Sequence, residues 1–194
     1  MEQLYSPDMS DEVLADAARV ERNAFGLLVE RYEQPLRRYV TRLGVRNHDD
    51  QLDVLQEVFL KAYRNINSFD TKLKFSSWIY RIAHNEAVSW FRKRNARPEG
   101  HAVADGEEVI EFLRSGEVSP EEQFDTVVNA EAVNIALRRL DDRYRNALIL
   151  RYFEHKEYQE ISDILRVPVG TVGTLLHRGK QQLAHELNAA AIRM

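Results

Sequence analysis

Apolar side chains in this chain return at three- and four-residue steps, and that period constrains the fold more than any other feature. Phe25, Leu28, Val29, Tyr32, Leu36, Tyr39, Val40 and Leu43 form one such stripe, the mark of a helix with one buried face. Gly44 follows where a C-cap is expected, and Pro35 inside the stripe predicts a kink or a split. Val54, Leu55, Val58, Phe59, Ala62, Tyr63 and Ile66 form a second stripe. It opens with Asp49, Asp50 and Asp53, which suit the positive end of a helix dipole. A third helix is expected from about Ser76 to Arg94, carrying Trp78, Ile79, Ile82 and Ala83, then Ala87, Val88 and Phe91. Helix returns from about Asn129 with Val133, Ala136, Leu137 and Leu140, breaks at Asp141 and Asp142, and continues through Ala147 to Phe153 and Tyr158 to Leu165. No β-alternation of useful length and no internal repeat competes with this period. The expected fold is all-α.

Between the two helical sets, the stretch from Pro98 to about Pro120 holds Gly100, Gly106 and Gly116 among many carboxylates. It reads as a self-repelling, flexible linker, in which the VIEFL run at 109–113 could dock. The expected organisation is therefore a domain over residues 1–97, an acidic linker over 98–125, and a second domain over 126–194. A chain of 194 residues is long enough for one sizeable core or two small ones.

Charge sharpens this division. The net charge of −4 is unevenly spread. Residues 1–98 carry 16 Lys+Arg and 14 Asp+Glu, residues 99–130 carry 1 and 9, and residues 131–194 carry 10 and 8. The acidic connector masks two mildly basic ends, and only local charge acts within a Debye length of roughly 8–10 Å. The chain has no cysteine, which excludes a disulfide framework and a thiolate site or nucleophile. No apolar run approaches the roughly 20 residues that span a bilayer, and the acidic amino terminus lacks the order of a secretory signal. A cytoplasmic protein without membrane insertion is expected.

Residues 74–97 concentrate the chemistry. Lys74, Arg81, Arg92, Lys93, Arg94 and Arg97 face Glu86 alone, with Phe75, Trp78, Tyr80, Trp90 and Phe91 interleaved. Cations for phosphates and π-faces for unstacked bases are what single-stranded nucleic acid requires, each stacked base gaining about 1–3 kcal/mol. Trp78 taken alone is expected in the core, whereas the cluster as a unit is expected to meet nucleic acid. Near the carboxyl end, VPVGTVGTLLHRGKQQL (167–183) places Val169, Val172, Leu176 and Leu183 at helical spacing after a short helix and a tight turn, as in a helix-turn-helix.

Three segments in order, DVLQEVFLKAYRNINSFD, KFSSWIYRIAHNEAVSWFRKR and LDDRYRNALILRYFEHKEYQEISDILRVPVGTVGTLLHRGKQQL, resemble a bacterial RNA polymerase sigma factor. The resemblance is to the extracytoplasmic-function group of the sigma-70 family, and it covers about residues 12–97 and 126–187. It implies that Asp53, Gln56, Glu57 and Lys61 dock on the clamp helices of the polymerase β′ subunit. Lys72, Lys74 and Phe75, with Asn85, Ser89, Arg92 and Lys93, correspond to the part that recognises and melts the −10 element, where a flipped base is expected in a pocket beside the loop. Thr171, Thr174, His177, Arg178 and Lys180 correspond to the −35 reader, in a domain that also touches the β flap. The acidic linker would thread toward the polymerase active centre as a nucleic-acid mimic. Partners implied are core polymerase, promoter DNA and an anti-sigma factor; no cofactor or metal is expected.

The recognition helix departs from the family at four positions: Gly173 and Leu175 stand where Lys and Arg are usual, Gly179 replaces a small Ala, and Lys180 stands in for Arg. Glycine inside a helix costs about 1 kcal/mol relative to alanine. Two missing cations also reduce phosphate contacts and flatten the salt dependence of binding, so a weak −35 reader that relies on tethering is expected. The alternative, a stand-alone helix-turn-helix regulator, leaves the aromatic-basic helix and the polar second helix without a purpose. For an enzyme, the six histidines are scattered, and no metal-binding His pair, phosphate loop or nucleophile elbow appears. No catalysis is expected.

Overall fold

The computed structural model describes residues 5, 6, 8–95, 133 and 135–191; the expected linker at 98–125, with its VIEFL run, lies outside them. Among the described residues every regular element is helical. Helix α1 (Asp11–Ala17) starts at Ser10, whose hydroxyl accepts the Val13 N–H. Helix α2 (Arg22–Leu43) ends at Gly44, with φ 120° in the left-handed region, where the Val45 N–H reaches back to the Val40 carbonyl. A Cβ on Gly44 would stand 3.1 Å from the Phe91 ring, so both backbone and packing demand glycine there.

Pro35 does not split α2, which runs unbroken for 22 residues. Proline removes one backbone hydrogen bond, but its fixed φ suits a helix. Buried side chains on both sides, Tyr32 before it and Leu36, Tyr39 and Val40 after it, hold the turn in place.

Helix α3 (His48–Asn65) is capped by Asn47, whose side-chain oxygen accepts the N–H groups of Asp49 and Asp50 at 2.9 and 3.2 Å. A single 3₁₀ turn, Ile66–Ser68, leads to a loop and to α4 (Phe75–Asn95). Residues 135–139 are helical. Helix α5 (Asp142–Leu148) runs into a π turn at Ile149–Phe153. Helices α6 (Tyr158–Leu165) and α7 (Val169–Ala191) follow.

Two compact units emerge, one within Met1–Ala96 and Ile149–Gly173, the other within Arg97–Leu148 and Thr174–Met194. In the first, Leu14, Leu28, Leu36, Tyr39, Val58, Phe75 and Ile79 meet Ile161 and Ile164 of α6 in the set of fully buried side chains, each contributing about 1.5–3 kcal/mol on burial. Helix α4 is the hub, packing on α1, α2, α3 and α6. The grouping therefore cuts across the sequence boundary drawn at 126, because α6 lies along α4. In the second unit Ala136, Leu137, Leu140, Ala147, Leu148 and Leu176 are buried. A Cβ on Gly179 would sit 3.2 Å from Leu148 and 3.3 Å from Tyr144. The close approach of α7 to α5 explains a glycine where the family pattern has alanine.

Candidate nucleic-acid interface

Helix α3 turns Val54, Leu55, Val58 and Ala62 inward and leaves Asp53, Gln56 and Glu57 exposed. Leu52 and Leu60 flank them at 43% and 38% exposure. Acidic groups bracketed by uncovered leucines form a mixed surface suited to a protein partner. Lys61 is exposed but tied to Glu86 of α4 at 2.7 Å, so it braces the face as well as bordering it.

On α4, Asn85, Ser89, Arg92 and Lys93 occupy i, i+4, i+7 and i+8 positions and so share one side of the helix. Asn85, Arg92 and Lys93 are exposed and Ser89 is half-buried. Trp78, two turns further back along the same side, is half-buried and leans on Phe69 and Phe75 at centroid distances of 5.3 and 5.5 Å. It is neither the buried core residue expected of it alone nor a free platform. Trp90 contacts Phe91 edge-on and carries the Arg94 guanidinium over its ring at 5.0 Å, while Arg94 also reaches Asp50 at 3.2 Å.

Phe75, expected among the nucleic-acid contacts, is 1% exposed. Its ring meets Tyr32 and Phe69 edge-on, and its N–H donates to Glu12 at 3.1 Å. An aromatic at the first turn of α4 is drawn into the core because α1 and α2 close over it. Its neighbours Lys72 and Lys74 remain exposed. They line an open hollow of about 400 Å³ with Asp11, Glu12, Thr71, Leu73 and Ser76. Asp70 shapes this loop by accepting the Lys72 N–H at 3.0 Å.

Helices α6 and α7 form the expected helix-turn-helix. Glu157 and Glu160 make a reciprocal capping box at the start of α6. Arg166 adopts left-handed φ 55° at its end, and the Ser162 hydroxyl donates to the Val167 carbonyl at 2.6 Å. Val172 and Leu176 turn inward, whereas Thr171, Thr174, His177, Arg178 and Lys180 are exposed. His177 contacts Gln181 at 3.2 Å. Gly173 and Leu175 are half-buried at the border of the exposed face. A Cβ on Gly173 would lie 3.8 Å from the Tyr158 ring, ordinary contact, so no packing demand explains that glycine.

A polar cluster had no trace in the sequence pattern. Glu154, its side chain only 5% exposed, accepts from Arg42 of α2 at 2.6 Å and from the Tyr80 hydroxyl of α4 at 2.8 Å. The Lys156 ammonium lies 4.2 Å from the Tyr80 ring centre. Burial, the Glu154 charge and its hydrogen bond push the Tyr80 hydroxyl well above its ordinary pKa. Nearby, Tyr39 and His84 Nδ1 share a hydrogen bond of 3.1 Å, and burial lowers the His84 pKa to about 4. Glu160 accepts from Ser76 at 3.1 Å and pairs with Lys74 at 3.5 Å. Burial works against its charge, but the Glu157 N–H, Lys156, Lys74 and Ser76 together hold it below the ordinary carboxylate range. Among the described residues no group of His, Asp and Glu is arranged to hold a metal ion.

Residues 28–97 match the family described as sigma-70 region 2, and residues 131–183 match sigma-70 region 4. The ECF RNA polymerase sigma factor SigW of Bacillus subtilis is 32% identical over 86% of this chain and 90% of its own length. The chain belongs to the extracytoplasmic-function group of sigma-70 factors. The ECF RNA polymerase sigma-E factor of Haemophilus influenzae is 33% identical over 91% of this sigma factor and 97% of its own. The fold is shared with CnrH, solved in complex with the cytosolic domain of CnrY, at a TM-score of 0.69 and 24% identity over 92% of this chain and 97% of that one. This sigma factor is an alternative specificity subunit that directs transcription initiation, with core RNA polymerase and promoter DNA as partners. Among its described residues no helix is long and apolar enough to cross a membrane.

Proposed function

We propose that residues 1–97 dock on polymerase and open the −10 element, and that residues 126–194 read the −35 element, with the acidic stretch 98–125 passing between them. The exposed side of α4 carries this reading: Asn85, Ser89, Arg92 and Lys93 lie on one helix face, next to the loop of Lys72 and Lys74. Those cations meet the phosphates of the non-template strand, and a flipped base enters the hollow between Thr71–Lys74 and Asp11–Glu12. Phe75 acts from beneath, fixing the loop and supporting Trp78. Asp53, Gln56 and Glu57, between Leu52 and Leu60, meet the β′ clamp helices, with Lys61 at the margin. Thr171, Thr174, His177, Arg178 and Lys180 contact the −35 duplex, and the same domain meets the β flap.

The protein makes and breaks no bond, acts in the cytoplasm where polymerase works, and is held inactive by an anti-sigma factor, the class of partner with which the sigma factor RpoE of Bartonella quintana was solved. The test is transcription from a fragmented genomic library by core polymerase with and without this chain. Discrete start sites sharing two upstream elements are expected. Binding of duplex DNA by the chain alone, as a dimer on two-fold sites, would favour a stand-alone regulator instead.

A further inference from the structure

The loop offered to the −10 strand, residues 70–74, is fastened at both of its ends. Its flanking aromatics, Phe69 and Phe75, are buried, and their rings meet edge-on at 5.4 Å, which closes the loop at its base. Inside it, Asp70 turns the chain by accepting the Leu73 N–H on its carbonyl at 2.9 Å and the Lys72 N–H on its side chain at 3.0 Å. These local bonds shape the loop but do not aim it.

The aim comes from α1. Just past the end of that helix, the Arg19 guanidinium donates to the Phe69 carbonyl at 2.8 Å. Its other amino group reaches Asp16 at 3.2 Å, so the planar fork is fixed at two points. At the far end of the loop, the Glu12 carboxylate accepts the Phe75 N–H at 3.1 Å. That N–H opens α4, where it has no partner within the helix and where a negative charge is welcome. Helix α1 is itself fixed to α2, because Arg31 and the Tyr32 hydroxyl both donate to Asp11. The contacts therefore run from α2 through α1 to the two backbone groups between which the loop hangs. Glu12 lines the hollow beside the loop, but Arg19 does not. Whatever Arg19 does for DNA, it does through the Phe69 carbonyl. Both residues precede the 28–97 stretch that matches sigma-70 region 2.

We infer that Arg19 and Glu12 are positioning residues for promoter opening, pinning the two ends of the loop so that α1 sets where Lys72, Lys74 and the hollow stand. The inference rests on the reading above, in which this loop captures a base of the −10 strand. A loop released at one end keeps its cations but samples positions from which the hollow cannot receive a base. Discrimination for that base is then lost while attraction to phosphates remains.

The test uses the full-length chain assembled with core polymerase. It is titrated against fork-shaped promoter fragments whose single-stranded −10 positions are made abasic one at a time. The unmodified protein is expected to lose about tenfold in affinity at one position, the scale of one stacked base. In Arg19→Met, which keeps an apolar stem and drops the donor, that penalty is expected to shrink to about twofold. Glu12→Ala, which frees the other end, is expected to do the same. Because the penalty is a ratio taken within one protein, a lowered folded fraction cancels, and a purely structural role would leave the ratio unchanged. A full penalty retained in either variant overturns the inference. Absence of any position-specific penalty in the unmodified protein would strike the functional reading itself, and this inference with it.

Discussion

Acidification from pH 7 to 5 should destabilise the first unit through one histidine. His84 is half-buried on α4 with Nδ1 beside the Tyr39 hydroxyl; the neutral ring accepts that proton donor, and a protonated ring cannot. Burial lowers its folded pKa to about 4, against about 6.5 in an unfolded chain. The unfolded state therefore binds a proton first as pH falls, so stability is fully present above about pH 6.5 and lost progressively toward pH 4. At pH 5 the two binding polynomials differ about 30-fold, a loss of about 2 kcal/mol, with a local slope near 1.2 kcal/mol per pH unit. Glu160, held low by its partners, adds its own loss only as pH falls through the carboxylate range, so measurements at pH 5 and above isolate the histidine. Urea unfolding followed from pH 7.5 to 5, with His84→Gln as control, reads the difference in slope. NMR titration of the His84 ring reads the folded pKa directly. A ring that titrates above pH 6, or equal slopes in the two proteins, refutes the argument.

Asp53→Arg reverses an exposed charge on the α3 face and should weaken core polymerase association about tenfold, or 1.4 kcal/mol, with no change in melting temperature; a titration against core and a thermal scan check both. Gly173→Lys with Leu175→Arg, at the border of the recognition face, should add up to two phosphate contacts and steepen the log–log salt dependence of promoter binding by about 1.8. A slope unchanged across salt would mean that this border does not face the groove. Gly26→Ala lies in the exposed interior of α2 with nothing within 4 Å of the new methyl, and should stabilise by about 1 kcal/mol. Gly44→Ala, at φ 120° and 3.1 Å from Phe91, should cost at least about 1–3 kcal/mol; chemical denaturation of the pair tests whether backbone geometry or mere propensity governs glycine here.

Much of this protein is local and was therefore legible. Helical stripes, the glycine that ends α2, the α6 turn and the exposed residues of α3 and α7 follow from the 3.6-residue period and from capping, which act over a few positions. The same logic did not foresee that α2 continues unsplit through Pro35, where neighbouring buried side chains outweigh one lost hydrogen bond, nor the burial of Phe75, which depends on where α1 and α2 meet α4. Polarity told which residues could face water, but an aromatic beside cations fits a base and a core equally well. Only packing decided between them.

The sequence by itself determined the helices, their inward faces and the family, because periodicity and motif spacing are properties of neighbouring residues. Tertiary structure alone decided that Glu154 meets Arg42 across 112 positions, that His84 sits half-buried beside Tyr39, and that α6 rests on α4. No short-range pattern encodes such contacts: their energies depend on burial and on partners that meet only when the chain has folded.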